Sequence, residues 1–302
     1  MSTSSYATLR RFNRAWTQRI GALDESFLGS GRPLGSARLL FEIGPDGAGV
    51  LDLRRRLGLD SGYLSRLLRR LTEEGLVEVV PDPDDRRRRL ATLTARGHRE
   101  WQTLEDRSER LAHDLVAPLS ESQRARLDEA LATAELLVRA ATLELEAVSA
   151  SSGEAVAAVH SYFDELDRRF VGGFDPGDAW TQDAAALAPP EGLFVVARDE
   201  GRVVGCGGVQ RITGSTAEIK RMWVHPGWRG AGLGTRLLRH LEDEARRLGY
   251  SVVRLDTNGT LTEAVAMYER AGYRPIERYN DNPYAQAWFE KELSPSGGAS
   301  GS

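Results

Sequence analysis

Cysteine is almost missing from this 302-residue chain. Cys206 stands alone, which excludes an internal disulfide framework and suits a reducing compartment. Long apolar runs are missing too. No stretch approaches the ~20 apolar residues of a membrane-spanning helix. The opening MSTSSYATLRRFNRAW has no apolar run of signal-peptide length. The expectation is a soluble, cytoplasmic protein with no membrane partner. The five histidines show no metal-ligand spacing, so no metal site is expected. Disorder is disfavoured by 41% hydrophobic and 28% charged residues, and the length suits two ordinary domains, each with its own core.

Lysine is absent from the first half, where all the Lys/Arg positions are arginine. Residues 50–99 hold twelve arginines against eight acids, although the whole chain carries −4. Arginine's planar fork suits phosphate and guanine, but such runs also occur on solvated surfaces. The local pattern favours the first reading. VLDLRRRLGLD (50–60) is a short helix ending at a glycine. In SGYLSRLLRRLTEEGLV (61–77), Leu64, Leu67, Leu68 and Leu71 fall at i, i+3, i+4 and i+7, one apolar helical stripe. Ser61 can cap this helix and Gly75 can end it in a left-handed turn. The opposite face is polar and basic. Two short, tightly joined helices of this kind make a helix-turn-helix, whose second helix fits the major groove. VEVV and RLATLT then read as strands joined by the basic tip PDPDDRRR, a shape that can reach the minor groove.

Residues ~30 to 147 resemble the MarR family of winged-helix regulators. The specific part is Asp82-Pro83-x-Asp85-Arg86-Arg87 followed by Leu93-Thr94-x-x-Gly97. The resemblance implies that Ser61, Tyr63, Ser65, Arg66, Arg69 and Arg70 face DNA bases and phosphates. It also implies that Asp85, Arg86 and Arg87 place an arginine in the minor groove. The long amphipathic stretches 94–120 and 121–146, with the helix near the start, are implied to form the dimerisation layer. A homodimer would read a pseudo-palindromic operator in double-stranded DNA.

The small, polar EAVSASSGEA (146–155) reads as a linker. The expected division is a winged-helix domain at 1–147, a linker at 148–155, a second domain at 156–293 and a disordered tail at 294–302. Strands and helices alternate through the second domain, which argues for an α/β or α+β sheet fold. At its centre VHPGWRGAGLGTRLL (224–238) puts four glycines and two arginines between a strand and a helix. No Lys-Ser/Thr pair follows the glycines, so this is not a P-loop. Thr235 stands where a dinucleotide fingerprint needs its third glycine, although Asp256 roughly mimics the ribose-binding carboxylate. What remains is Arg229-x-x-Gly232-x-Gly234. Successive amides there can converge on a pyrophosphate at the positive end of the following helix.

AEIKRMWVHPGWRGAGLGTRLL and AMYERAGYRP are similar to the motifs of GNAT N-acetyltransferases, which residues ~154 to 293 resemble throughout. The resemblance implies acetyl-CoA as acyl donor and an amine acceptor, a small molecule or a protein lysine. Met222, Trp223 and Val224 would run beside the pantetheine arm, with the Val224 N–H on the thioester oxygen. Arg229, Gly230, Ala231, Gly232, Leu233 and Gly234 would hold the pyrophosphate, and Asn258 and Tyr268 would face the cofactor's other side. Glu218 is the candidate general base and Tyr268 the candidate acid for the departing thiolate. Cys206 has no histidine partner in sequence and His225 reads as a turn former. The expectation is a regulator fused to a working acetyltransferase. The alternatives are a second domain that only senses acyl-CoA or another ligand, and a winged helix kept only as a dimerisation scaffold.

Overall fold

The computed structural model describes residues 3–83, 85–177 and 179–294. Residues 295–302, most of the expected tail, lie outside them. The chain divides into two compact units, Met1–Glu129 and Ala130–Ser302.

The first unit is helical with one small sheet. It runs α1 (Thr3–Arg19), α2 (Leu34–Ile43), β1 (Ala48–Gly49), α3 (Val50–Leu57), α4 (Ser61–Glu73), β2 (Val77–Pro81), β3 (Arg89–Leu93) and α5 (Ala95–Val116). The helix α6 (Glu121–Thr142) contains the boundary between the units. The leucine stripe of α4 is buried with Leu39, Leu40 and Leu53 in one core. The cap of α4 differs from the expectation. Asp60 accepts from the Tyr63 N–H at 2.8 Å, and Ser61 is the first helical residue. Gly75 does end the helix, at φ +68. The strands β2 and β3 pair antiparallel with Val79 opposite Ala91, and β1 pairs with β3.

Thr94 and Gly97 of the wing signature are junction residues. Thr94 caps α5 by accepting from the Gly97 N–H, and its hydroxyl donates to the Gly75 carbonyl at 2.7 Å. Gly97 lies against the Leu76 carbonyl so closely that a Cβ would sit 2.0 Å from that oxygen.

The second unit is a seven-stranded mixed sheet with helices. Its elements are β4 (Glu144–Val148), α7 (Gly153–Arg169), α8 (Ala179–Ala186), β5 (Leu193–Asp199), β6 (Arg202–Arg211), β7 (Thr216–Val224), α9 (Leu233–Arg247), β8 (Val252–Thr257), α10 (Thr262–Arg270), β9 (Arg274–Ile276) and β10 (Ala287–Glu292). The strand order is β4-β5-β6-β7-β8-β10-β9. The expected linker is not one. Glu144–Val148 pairs antiparallel with β5, and Ser152 caps α7. The sheet therefore begins well before residue 156, and the compact second unit begins at Ala130. One physical reason is that Leu136, Ala140 and Leu143 belong to a core with Trp228 and Leu233. Arg236 also donates to the Ala140 and Leu143 carbonyls, which end α6. Among the described residues, no helix is long and apolar enough to cross a membrane.

Candidate active site and basic surface

The centre of the second unit is a place where two strands part. Parallel pairing of β7 with β8 runs only from Thr216–Val252 to Glu218–Arg254. Beyond it, Arg221 adopts a left-handed φ of 54°, and the β6–β7 register shifts between Cys206 and Gly208. A bulge of this kind bends one strand away from its neighbour. Strain at a non-glycine left-handed residue needs outside support. The Arg221 guanidinium has it, bonded to Asp183 at 2.7 Å and stacked over Phe163.

The splay leaves main chain facing a cleft. His225 donates its N–H to the Val204 carbonyl, so Val224, opposite Gly205, occupies a non-hydrogen-bonded position toward β6. By the alternation of an antiparallel ladder, its N–H points away from β6 into the splay.

A first cleft of about 370 Å³ follows this strand to the glycine-rich loop. Its lining includes Met222, Trp223, Val224, Arg229, Gly230, Gly232, Leu233 and Gly234. His225 accepts the Gly227 N–H at 3.2 Å and shapes the turn, as expected. Gly230 and Gly232 both take φ +79, where a side chain would be strained. Among the described residues, no acceptor is found for the N–H groups of Gly230 to Thr235. They run into the N-terminus of α9, the positive end of its dipole. Arg229 is less free than expected. Its guanidinium contacts both Glu165 oxygens at 2.5 Å and the Val224 carbonyl.

Glu165 is buried and also accepts from the Trp223 indole at 2.9 Å. Burial pushes its carboxyl up, but Arg229 and Trp223 more than offset this and hold it below the usual carboxylate range. Arg169 continues the network to Glu263, whose pKa falls to about 2 because of that bond. The stabilising contribution of Glu263 is complete above the ordinary value of 4.5 and fades as pH falls toward 2. Arg169→Met should therefore flatten the acid limb of the unit's stability over that range, as read from urea midpoints. The effect should be modest, because Glu263 is half exposed and solvent screens the pair.

A second cleft of about 520 Å³ joins the first, sharing Tyr162, Leu166, Met222, Leu261, Ala264 and Tyr268. Glu218 and Tyr268 both line it. Glu218 is 4% exposed and accepts from the Tyr279 hydroxyl at 2.7 Å, the Asn280 amide at 3.1 Å and the Gln210 amide at 2.7 Å. Tyr268 is buried among Tyr273 and Phe289, and burial raises its pKa. Asn258 lies in this second cleft and not beside the glycine loop. Its amide donates to the Tyr284 carbonyl at 2.8 Å, and its oxygen accepts from Thr260. Cys206 is fully buried, donates to the Arg221 carbonyl, and is pushed by burial toward the inert thiol.

In the first unit Ser61, Tyr63, Ser65, Arg66, Arg69 and Arg70 all lie on the exposed face of α4. Arg66 stacks over Tyr63, whereas Arg70 is paired with Glu74 at 3.2 Å. The Ser65 hydroxyl bonds back to the Ser61 carbonyl at 2.7 Å. Arg86 and Arg87 are exposed at the wing. Asp85 lies beside these arginines in sequence and is partly exposed. Its carboxylate accepts the Arg87 N–H and pairs with Arg88, so it forms the turn that presents the arginines.

Residues 159–273 match the acetyltransferase (GNAT) family, and residues 30–88 match the MarR family. An IAA acetyltransferase of Azospirillum brasilense is 38% identical over 141 residues, spanning 45% of this chain and 91% of its own length. The chain belongs to the GNAT acetyltransferase family. Ahead of its GNAT domain it carries a MarR-like winged helix. Over 59 residues it is 42% identical to the transcriptional activatory protein BadR of Rhodopseudomonas palustris, covering 20% of this chain and 34% of that one. A solved GNAT-family acetyltransferase from Elizabethkingia anophelis, with acetyl-CoA bound, is 16% identical. It aligns with 50% of this chain and 98% of its own, at a TM-score of 0.38.

Several groups of the GNAT domain's clefts escaped the sequence reading. Tyr162, whose phenol is pushed up to about 12 by burial, lines both clefts. It and Glu165 sit on α7, where a helical periodicity marks them only as inward-facing. Asp256 closes the second cleft beside Asn280 and Asn282. No local pattern in the sequence marks these contacts.

Proposed function

We propose that the GNAT domain transfers an acetyl group from acetyl-CoA to an amine. The observation that carries this reading is the junction of the two clefts at Met222 and Tyr268, beside the opened strand β7. One cleft ends at amides without acceptors, which suit a pyrophosphate. The other ends at a buried carboxylate. Gly230 to Gly234 hold the phosphates by main chain, with Arg229 close by. Met222 to Val224 run beside the pantetheine arm, and the Val224 N–H donates to the thioester oxygen as negative charge builds there. Glu218 takes the proton of the amine, directly or through water, as the nitrogen bonds to the acetyl carbon. Tyr268 gives a proton to the sulfur as the carbon–sulfur bond breaks.

The test is release of CoA thiol with a mixed pool of amines, with the acetylated product identified by mass spectrometry. Glu218→Gln should lower turnover by roughly 10²-fold at neutral pH, with acetyl-CoA binding retained. Acetyl-CoA binding with no product from any amine would favour the sensor reading, for which Arg229 held on Glu165 offers a contact that a ligand could exchange.

The first unit acts in this proposal as a homodimeric, DNA-binding regulator working in the cytoplasm. Leu9, Phe12 and Trp16 form an exposed apolar stripe on α1 that a second copy can cover. The exposed arginines of α4 and the wing supply the operator contacts. Arg66→Ala with Arg87→Ala should weaken binding to a pseudo-palindromic site. It should also lower the salt slope by roughly 0.9 for each phosphate that is no longer neutralised. An unchanged slope in a salt titration would place the DNA-facing surface elsewhere.

A further inference from the structure

We propose that the acceptor is a primary amine carried on an aromatic body, an arylalkylamine. The inference rests on the acetyltransferase reading of the same site and names its substrate class. It begins with two carboxylates that share one neutral partner. The Asn280 amide donates to Glu218 at 3.1 Å and to Asp256 at 2.5 Å. Asp256 accepts further only from the Asn282 amide at 3.1 Å, and among the described residues it has no ion-pair partner. The nearest cation to Glu218 is Lys220, at 3.8 Å.

Carboxylates drawn together in a cleft without a dedicated cation are costly, and a bound cation offsets that cost. The Gln210 side-chain oxygen, on the same cleft, is buried with no hydrogen-bond partner. Glu218, Asp256 and Gln210 thus gather three acceptor groups, and Lys220, which pairs with Glu218, is shared with Asp183. An ammonium group has three donors and no acceptor.

Another part of the lining is aromatic. Phe170, Phe174 and Tyr284 all line the cleft and touch one another, with Phe174 and Tyr284 ring centroids 4.7 Å apart. Such a wall suits a planar ring by offset or edge contacts. Amino acids and their relatives are disfavoured, because a carboxylate finds no available cation. Lys220 and Arg221, the two cations of the cleft, are both committed to Asp183, at 3.1 Å and 2.5 Å.

The amine enters as ammonium among the three acceptors. Glu218 removes one proton, nitrogen bonds to the acetyl carbon, and the carbon–sulfur bond breaks as sulfur takes a proton from Tyr268. The products are the N-acetylated amine and CoA thiol. The second proton leaves the nitrogen of the tetrahedral adduct and, through water, restores the Tyr268 phenol. Glu218 releases its proton to solvent, so one proton per turnover is left there.

The experiment uses the full chain and calorimetric titration of phenethylamine, tryptamine, phenylalanine, spermidine and a lysine-containing peptide. Thiol release is then measured with each. The two arylalkylamines should bind, and phenethylamine should exceed phenylalanine at least 100-fold in kcat/KM. Asp256→Asn and Phe174→Leu should each weaken arylalkylamine binding at least tenfold while acetyl-CoA binds as before. Preferential acetylation of phenylalanine, spermidine or the peptide would overturn this inference and leave the acetyltransferase reading standing. Arylalkylamine binding that depends on Asp256, but without transfer, would support the recognition site and defeat the enzymatic reading. Absence of arylalkylamine binding defeats the inference, whichever way acetyl-CoA behaves.

Discussion

Tyr268→Phe should bind acetyl-CoA normally and lose roughly 10²- to 10⁴-fold in acetyl transfer, the range for one general acid. The substitution removes one oxygen and keeps the ring that packs against Tyr273 and Phe289 at centroid distances of 5.9 and 6.1 Å. Stability should therefore change little, so a loss of rate reports on the proton. Burial raises the pKa of this phenol, which keeps it protonated at neutral pH until negative charge builds on the sulfur. Tyr162 lines the same junction and is the natural competitor for the role. Thiol-release rates of the two Tyr→Phe variants decide between them. Near wild-type turnover in Tyr268→Phe with a collapse in Tyr162→Phe would reassign the acid.

The second large effect lies in the winged helix. Gly97→Ala should destabilise the first unit by roughly 3 kcal/mol, the upper range for overpacking. Ordinary helix propensity points the other way, since alanine is favoured over glycine by about 1 kcal/mol within a helix. The close approach dominates here. The new Cβ would lie 2.0 Å from the Leu76 carbonyl oxygen and 3.0 Å from its carbon, and neither is a flexible side-chain end. Either α5 or the entry to β2 must move. Gly153→Ala is the control, because nothing lies within 4 Å of its Cβ position at the start of α7. Amide exchange across Ala95–Val116 should accelerate in the first variant and remain unchanged in the second. Equal protection in Gly97→Ala would mean that this junction can relax at little cost.

The same residue shows why much of the fold was legible. The signature Leu93-Thr94-x-x-Gly97 records a capping hydroxyl and a backbone contact that tolerates no side chain, both local in sequence. The α4 stripe and the glycine loop are local in the same sense. Glu144–Val148 was misread because a short edge strand with glutamates at 144 and 146 carries too little apolar alternation to stand out. The insertion of β10 between β8 and β9 depends on distant pairing that no local pattern encodes. The candidate site divides likewise. Glu218, Tyr268 and the loop sit in recognisable motifs. Glu165, Tyr162 and Asp256 acquire their surroundings only when α7 and residues 280–284 fold against the splay. The part that Asp85 plays in the wing turn appears only once the Arg87 amide and Arg88 side chain are placed.

The parting of β7 from β8 also separates two kinds of heritable change. On one side the groups offered to the acyl donor are chiefly amides, which survive most side-chain replacements. On the other, the wall offered to the proposed acceptor includes Asp256, Phe174 and Tyr284, each replaceable by a single codon change. A lineage can therefore exchange one amine for another while the thioester end stays as it is, and drift in acceptor choice need not pass through an inactive protein.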